Sequence, residues 1–149
     1  MLNEAFDWMT RIKAVEREYG AIRFVTDRLL EEMTVNPAIL GNRIIRRDIV
    51  TASSHLEGTY IVRIFSEFET ALQHFIRAFH IRKPRGTEPL INRVRDRCRI
   101  PQADAEAVHK VREYRNILVH ERTKFVVPVD MREATRVLCI FLSRVQGIW

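Results

Sequence analysis

The chain has 149 residues, the size of one domain that can bury a hydrophobic core without disulfides or metals. Its 46% hydrophobic content, with only five glycines and five prolines, argues against a disordered or fibrous protein. No apolar run is long enough to span a membrane and no signal-peptide pattern opens the sequence, so we expect a soluble, cytoplasmic protein with no membrane partner.

The positive charge of the chain comes mostly from arginine. The net charge is +6, and only four of the 25 basic residues are lysine. A guanidinium group offers a fixed fork of donors that matches phosphate oxygens, so this balance favours a nucleic-acid or nucleotide partner. A genome rich in G and C, which raises arginine content everywhere, is an equally good explanation, and the charge alone leaves both open.

The two cysteines, Cys98 and Cys139, lie on apolar stripes of predicted helices. That setting favours buried, reduced thiols over a disulfide. No cysteines and histidines have the spacing of a zinc site, so we expect neither a metal nor another cofactor.

Nearly every segment has the period of an α-helix, and almost none alternates like a β-strand. A first helical region is predicted over residues 3–33, followed by a loop over residues 34–42 that holds a proline and a glycine. Residues 43–54 fit either a short helix or an irregular crossing. The second long helix, residues 55–80, carries a phenylalanine-rich stripe that must be buried against other helices.

Three more helices are predicted in the second half of the chain. A turn at residues 82–86 precedes a short helix that starts near Thr87. A fourth helix spans residues 103–120, and a final helix begins at Asp130, with Glu133 placed to complete a capping box. We therefore expect an all-α fold, an antiparallel bundle of four long helices plus one or two short helices.

No internal repeat is visible, and a single helical domain is expected over residues 1–149. Residues 1–42 would form an N-terminal helical region and loop. Residues 55–146 would form the core, which includes the sequence motif described below.

The most basic stretch runs from the turn at residues 82–86 through the third helix. Its alternating arginines would share one face in a strand, but in a helix they spread over the polar surface, so a solvated face is the simpler interpretation. The stretch is also the best candidate for a sequence-independent grip on RNA phosphates. The candidate RNA-binding residues are Arg82, Lys83, Arg85, Arg93 and Arg97.

The fourth helix ends in Arg115-Asn116-Ile117-Leu118-Val119-His120. On a helical wheel Arg115 falls within the apolar stripe, where a guanidinium is costly unless it is paired or faces a cavity. Asn116 and His120 are four residues apart on another side, so the amide can hydrogen-bond the imidazole. The arginine and the histidine point to different sides, and a two-fold axis between two copies could combine them in one site.

These six residues resemble the motif of the HEPN domains (higher eukaryotes and prokaryotes nucleotide-binding). That motif is an arginine, usually a polar residue, a few apolar residues, and then a histidine near the end of a late helix. The upstream segment YIVRIFSEFE, residues 60–69, resembles the Phe-Glu-bearing helix of the family branch associated with RNA-cleaving toxins. The resemblance covers residues 59–146 and does not extend to the first forty residues.

The resemblance implies a homodimer with a composite cleft. In many members it also implies a metal-independent endoribonuclease that leaves a cyclic phosphate after attack of the RNA 2′-hydroxyl. His120 would be the general base or acid, Arg115 would stabilise the phosphorane-like transition state, and Asn116 would orient His120 or the phosphate. Glu69 would lie nearby and hold Arg115. The implied partners are a second copy, the RNA substrate and, for a toxin, a cognate antitoxin protein.

Simpler interpretations exist for each residue of the motif. His120 near a helix C-terminus can serve only to complement the helix dipole, and Arg115 can form only a structural ion pair. Other HEPN domains act without turnover, so the rival hypothesis is a non-catalytic helical module that binds RNA, a nucleotide or a protein partner. The remaining histidines, which we expect at the surface, are His55, His74, His80 and His109.

Overall fold

The computed structural model describes residues 4–120, 123–145 and 149, and all regular structure in these residues is helical. The prediction of an all-α fold is confirmed, while two predicted limits, Asn3 and Gln146, lie outside the described residues. No helix in these ranges is long and apolar enough to cross a membrane. The α-helices are α1 (Glu4–Val35), α2 (Arg46–Ala78), α3 (Thr87–Cys98), α4 (Gln102–His120) and α5 (Met131–Val145).

Helix α2 begins at Arg46, earlier than the predicted start at residue 55. Residues 46–54 are therefore neither a separate short helix nor an irregular crossing, because they continue into α2 without a break. No glycine or proline interrupts them, and α2 packs along α1. The predicted loop between α1 and α2 contains a 3-10 helix, Pro37–Leu40, capped by the Asn36 side chain, which accepts a hydrogen bond from the N–H of Ala38 at 3.2 Å.

Helix α2 packs against all four other α-helices, and its phenylalanine-rich stripe forms the middle of the hydrophobic core. Phe68 meets Phe141 of α5 edge-on, with ring centroids 5.5 Å apart, and Phe75 meets Trp149 at 5.7 Å. Burial of this stripe stabilises the fold, because aromatic side chains remove large apolar areas from water. The buried residues of α2 are Ile61, Ile64, Phe65, Phe68, Ala71, Leu72, Phe75 and Ile76.

Helices α1 and α2 run antiparallel, since Tyr19 contacts Glu57 and Arg23 contacts Ser53. Glu57 marks the edge of the core. Its Oε2 accepts one hydrogen bond from the Tyr19 hydroxyl at 3.1 Å and another from the N–H of Met131 at 3.3 Å. One carboxylate thus joins α1, α2 and the first residue of α5.

Residues 20–56 extend past this edge and form a helical hairpin. Met33 is its only buried residue. Large apolar side chains of the hairpin are exposed instead, namely Ile22, Phe24, Val25, Val35, Ile39, Ile44, Ile45 and Val50. The long helices therefore have one half inside the core and one half largely in solvent.

Both cysteines are free thiols, as predicted, although Cys98 is only half-buried. Burial raises the pKa of both thiols. At the start of α5, Oδ1 of Asp130 accepts a hydrogen bond from the N–H of Glu133 at 2.7 Å, which is the first half of the predicted capping box. The Glu133 side chain binds Arg136 at 2.6 Å.

Candidate functional site

Arg115 of α4 lies against α2. Its Nη2 donates a hydrogen bond to Glu69 Oε2 at 2.8 Å, and its guanidinium carbon lies 4.8 Å from the centroid of the Phe65 ring. Phe65 and Glu69 are four residues apart on α2, so one side of that helix supplies both the ring and the carboxylate. Only 17% of the Arg115 side chain and 24% of the Glu69 side chain are exposed, and the pair neutralises a charge that would otherwise be costly there.

Both members of this ion pair have a second partner. Thr87, the first residue of α3, donates from Oγ1 to Glu69 Oε1 at 2.9 Å, and Arg115 Nη1 donates to Asn116 Oδ1 at 3.0 Å. Each oxygen of Glu69 therefore accepts one hydrogen bond, and each terminal nitrogen of Arg115 donates one of its two N–H groups. We call Phe65, Glu69, Thr87, Arg115 and Asn116 the Arg115 network. It connects α2, α3 and α4 through satisfied hydrogen bonds.

His120 is the last residue of α4, and its side chain is exposed. The predicted hydrogen bond between Asn116 and His120 is not formed, and Asn116 Oδ1 accepts a hydrogen bond from Arg115. A charged guanidinium is a strong donor for that oxygen. Among the described residues the imidazole has no hydrogen-bond partner.

A second arginine of α4, Arg112, belongs to another network that the sequence did not reveal. Arg112 Nε donates to His109 Nδ1 at 3.3 Å, and Arg112 Nη2 lies 3.2 Å from Glu88 Oε2. His109 Nε2 lies 2.9 Å from Asn92 Oδ1. Since Nδ1 accepts, the ring carries its proton on Nε2 and donates it to Asn92. We call Glu88, Asn92, His109 and Arg112 the Arg112 network.

His109 is half-buried, which corrects the expectation that it lies at the surface. Burial lowers the pKa of His109 below its ordinary value of 6.5, and the neighbouring Arg112 lowers this pKa further. The network requires the neutral ring, because a protonated His109 could not accept the hydrogen bond from Arg112. The other histidines expected at the surface, His55, His74 and His80, are exposed.

A cleft of about 240 Å³, which we call the α3–α4 cleft, opens beside the outer side of α4. Arg112 and Asn116 line it from α4, and Lys124 adds a second cation from the segment before α5. Its full lining is Glu88, Arg112, Glu113, Asn116, Ile117, Lys124 and Val126. The motif residue Asn116 therefore takes part in both the Arg115 network and this cleft.

Four of the five residues predicted to bind RNA come together. Arg82, Lys83, Arg85 and Arg93 line a shallow basic cleft of about 320 Å³ around Pro84. Arg97 does not line it and is exposed one turn further along α3. Among the described residues the lining of the basic cleft contains no acidic side chain, so its local charge suits a phosphate backbone.

In the part of the chain that the structure describes, no three His, Cys, Asp or Glu side chains come together as metal ligands. Comparisons of the chain with protein-family models, with curated proteins and with solved structures found no match. The resemblance to HEPN domains therefore stays a prediction that depends on the residues of α2 and α4.

Proposed function

We propose that the chain is a HEPN-like, metal-independent endoribonuclease and the toxin of a toxin–antitoxin or phage-defence system. In this proposal each protomer is an antiparallel helical bundle, and two protomers form a homodimer with a composite active site. The observation that carries it is the contrast at the end of α4. Glu69 fixes the cation Arg115, whereas the imidazole of His120 is exposed and available for proton transfer.

The proposed reaction uses one His120 from each protomer. The first removes the proton from the RNA 2′-hydroxyl, and the resulting oxygen attacks the phosphorus. The bond to the 5′-oxygen breaks as the second His120 donates a proton to it, which leaves a 2′,3′-cyclic phosphate and a 5′-hydroxyl. Arg115 stabilises the extra negative charge of the transition state, Glu69 holds Arg115 in place, and Asn116 orients the phosphate.

Incubation of the purified protein with single-stranded RNA in EDTA tests this activity. The wild type should cut the RNA and should leave a fully 2′-deoxy strand intact, because the nucleophile is then missing. His120→Ala should abolish cutting. His80→Asn, a change of another exposed histidine to a residue that tolerates its positive φ of 53°, should leave it unchanged. Intact RNA in the wild-type reaction would contradict the proposal.

The dimer and the toxin role have separate tests. Light scattering should give a mass near twice the 17.6 kDa of the chain. Expression should arrest growth of the host, and His120→Ala should relieve the arrest. A monomer would contradict the composite site, and growth arrest by His120→Ala would contradict a toxic nuclease.

A second candidate is a non-catalytic module that binds RNA, a nucleotide or a protein partner. It is favoured by the ion pair between Arg115 and Glu69, since the charge of Arg115 is already balanced by a carboxylate of the same chain. The double variant Arg115→Lys/His120→Ala would then bind RNA as well as the wild type, while Arg85→Gln/Arg93→Gln in the basic cleft would weaken binding. Cleavage of RNA in EDTA by the wild type, but not by the Arg115→Lys/His120→Ala variant, would contradict this candidate.

A further inference from the structure

One side of α4, which contacts α3 in its first half, carries a row of four polar residues. His109, Arg112, Asn116 and His120 follow one another at steps of three and four residues, so their side chains lie on one side of the helix. Arg115 points away from this row toward Glu69 of α2. The arginine that shares a side of α4 with Asn116 and His120 is therefore Arg112.

The guanidinium of Arg112 has contacts at two of its three nitrogens. Its Nε donates to His109 and its Nη2 contacts Glu88, which leaves Nη1 without a partner among the described residues. Arg112 also lines the α3–α4 cleft, although only 14% of its side chain is exposed. A guanidinium fixed in this way presents its remaining donors in one direction and loses little entropy when it binds an anion.

Other donors converge on the same cleft. Lys124 contributes an ammonium group, and Asn116, whose Oδ1 is occupied by Arg115, has its amide NH₂ left to donate. Glu113 lies 3.9 Å from Arg112 Nη2, which is too far for a good hydrogen bond, so a ligand oxygen can replace it. The cleft thus offers two cations and an amide donor of the kind that bind a phosphodiester. Glu113 and Glu88, which is paired with Arg112, line it as well.

We infer that the α3–α4 cleft binds an RNA phosphate beside the scissile one. Arg112 and Lys124 contact this phosphate, and His109 is a positioning residue that holds Arg112 from behind. The site deepens the proposed function and rests on it for the identity of the ligand. It also gives the row on α4 a common role, in which His120 performs the chemistry and Arg112 holds the strand about two helical turns away.

Binding of an uncleavable 2′-deoxy-substituted strand, measured by fluorescence anisotropy over a range of salt concentrations, tests the site without turnover. One lost phosphate contact lowers the salt slope by about 0.7 for a single strand, which corresponds to about fivefold weaker binding at 0.1 M salt. Lys124→Gln should show both effects. Lys13→Gln, a change of an exposed lysine on α1, should show neither.

The role of His109 has a different signature. His109→Gln keeps the charge of Arg112 but removes the ring that orients it, so we expect weaker binding with an unchanged salt slope. Arg112→Gln should lower the slope as Lys124→Gln does. Circular dichroism identifies any variant that fails to fold, and Lys124→Gln, at an exposed position, remains informative if Arg112→Gln is unstable.

The outcomes separate this inference from the proposed activity. If Lys124→Gln and Arg112→Gln bind the strand with wild-type affinity and slope, the inference is wrong even when the wild type cuts RNA. If the salt slopes of both variants fall but the wild type cuts no RNA, the phosphate site is supported and the proposed nuclease activity is contradicted. Release of the strand by millimolar inorganic phosphate at constant ionic strength would indicate a small-anion site and would overturn the assignment to RNA.

Discussion

Arg112 and Arg115 stand three residues apart on the same helix and are buried to a similar degree, with 14% and 17% of their side chains exposed. Their networks nevertheless differ. Arg115 has both terminal nitrogens bonded, to a carboxylate and an amide, and lies over an aromatic ring. Arg112 depends on a neutral histidine and keeps donors at the edge of a cleft. Each guanidinium has two bonded nitrogens, so neither burial nor the number of donors used separates the two arginines. The comparison teaches that the placement of the partners decides the difference, because Arg115 packs over an aromatic ring whereas Arg112 lines a cleft.

The largest expected effect on stability comes from the Glu69–Arg115 pair. Glu69→Ala should lower the free energy of unfolding by about 2–4 kcal/mol, because it leaves a half-buried guanidinium without its counter-charge. Urea unfolding followed by circular dichroism measures this change. The double variant Glu69→Leu/Arg115→Met should be closer to the wild type than Glu69→Ala is. Additive losses in the double variant would contradict a coupled pair.

The contact from α3 should contribute less. Thr87→Val removes the hydroxyl that donates to Glu69 while it keeps the shape of the side chain, so we expect a loss of about 1 kcal/mol. Thr70→Val serves as the matched control, since the Thr70 hydroxyl donates only to a carbonyl of its own helix, at 2.8 Å. Equal losses in the two variants would mean that Glu69 does not need Thr87.

The Arg112 network should respond to pH, because it depends on the neutral form of His109. The pKa of His109 is lower in the folded chain than its ordinary value of 6.5, so below pH 6.5 the unfolded chain binds a proton that the folded chain does not. The stability contributed by neutral His109 is therefore fully present above pH 6.5 and is lost as the pH falls toward the folded-state pKa. Unfolding at pH 7.5 and pH 5.5 should show a smaller decline for His109→Gln than for the wild type, and an equal decline would contradict the neutral ring.

The smallest expected effect on stability belongs to His120. Its side chain is exposed, so His120→Ala should change the free energy of unfolding by less than about 0.5 kcal/mol. Under the proposed function the same change should lower the rate of RNA cleavage by about 10²- to 10⁴-fold, the usual range for a lost general acid or base. A large loss of stability would instead assign His120 a structural role.

The sequence predicted features that depend on one helix at a time. The phenylalanine stripe of α2 and the position of Arg115 within the apolar stripe of α4 follow from a period of 3.6 residues. The start of α2 was missed because residues 51–54 are threonine, alanine and two serines, which have no clear apolar period. Packing against α1 favours the helical conformation of residues 46–54, as tertiary contacts often override intrinsic propensity.

Features that join two helices could not be predicted in the same way. His109 and Arg112 are three residues apart on α4, a spacing that can be read from the sequence. Their partners Asn92 and Glu88 lie on α3, and contacts between two helices cannot be read from the period of one. The hydrogen bond between Arg115 and Asn116 was not predicted, because the helical wheel considered only His120 as a partner of Asn116. The guanidinium of Arg115, held in reach by Glu69, competes for the same oxygen.

The continuity of α2 across the edge of the core has a consequence for its amide hydrogen exchange. Residues 61–76 lie in the core, so their amides should exchange only when the whole chain unfolds, whereas amides of residues 46–56 in the helical hairpin can exchange through local opening. Protection should therefore fall steeply near Glu57 along one unbroken helix. A molecule that binds the hairpin, including a second copy of the chain, should slow amide exchange in residues 46–56 and leave exchange in residues 61–76 unchanged.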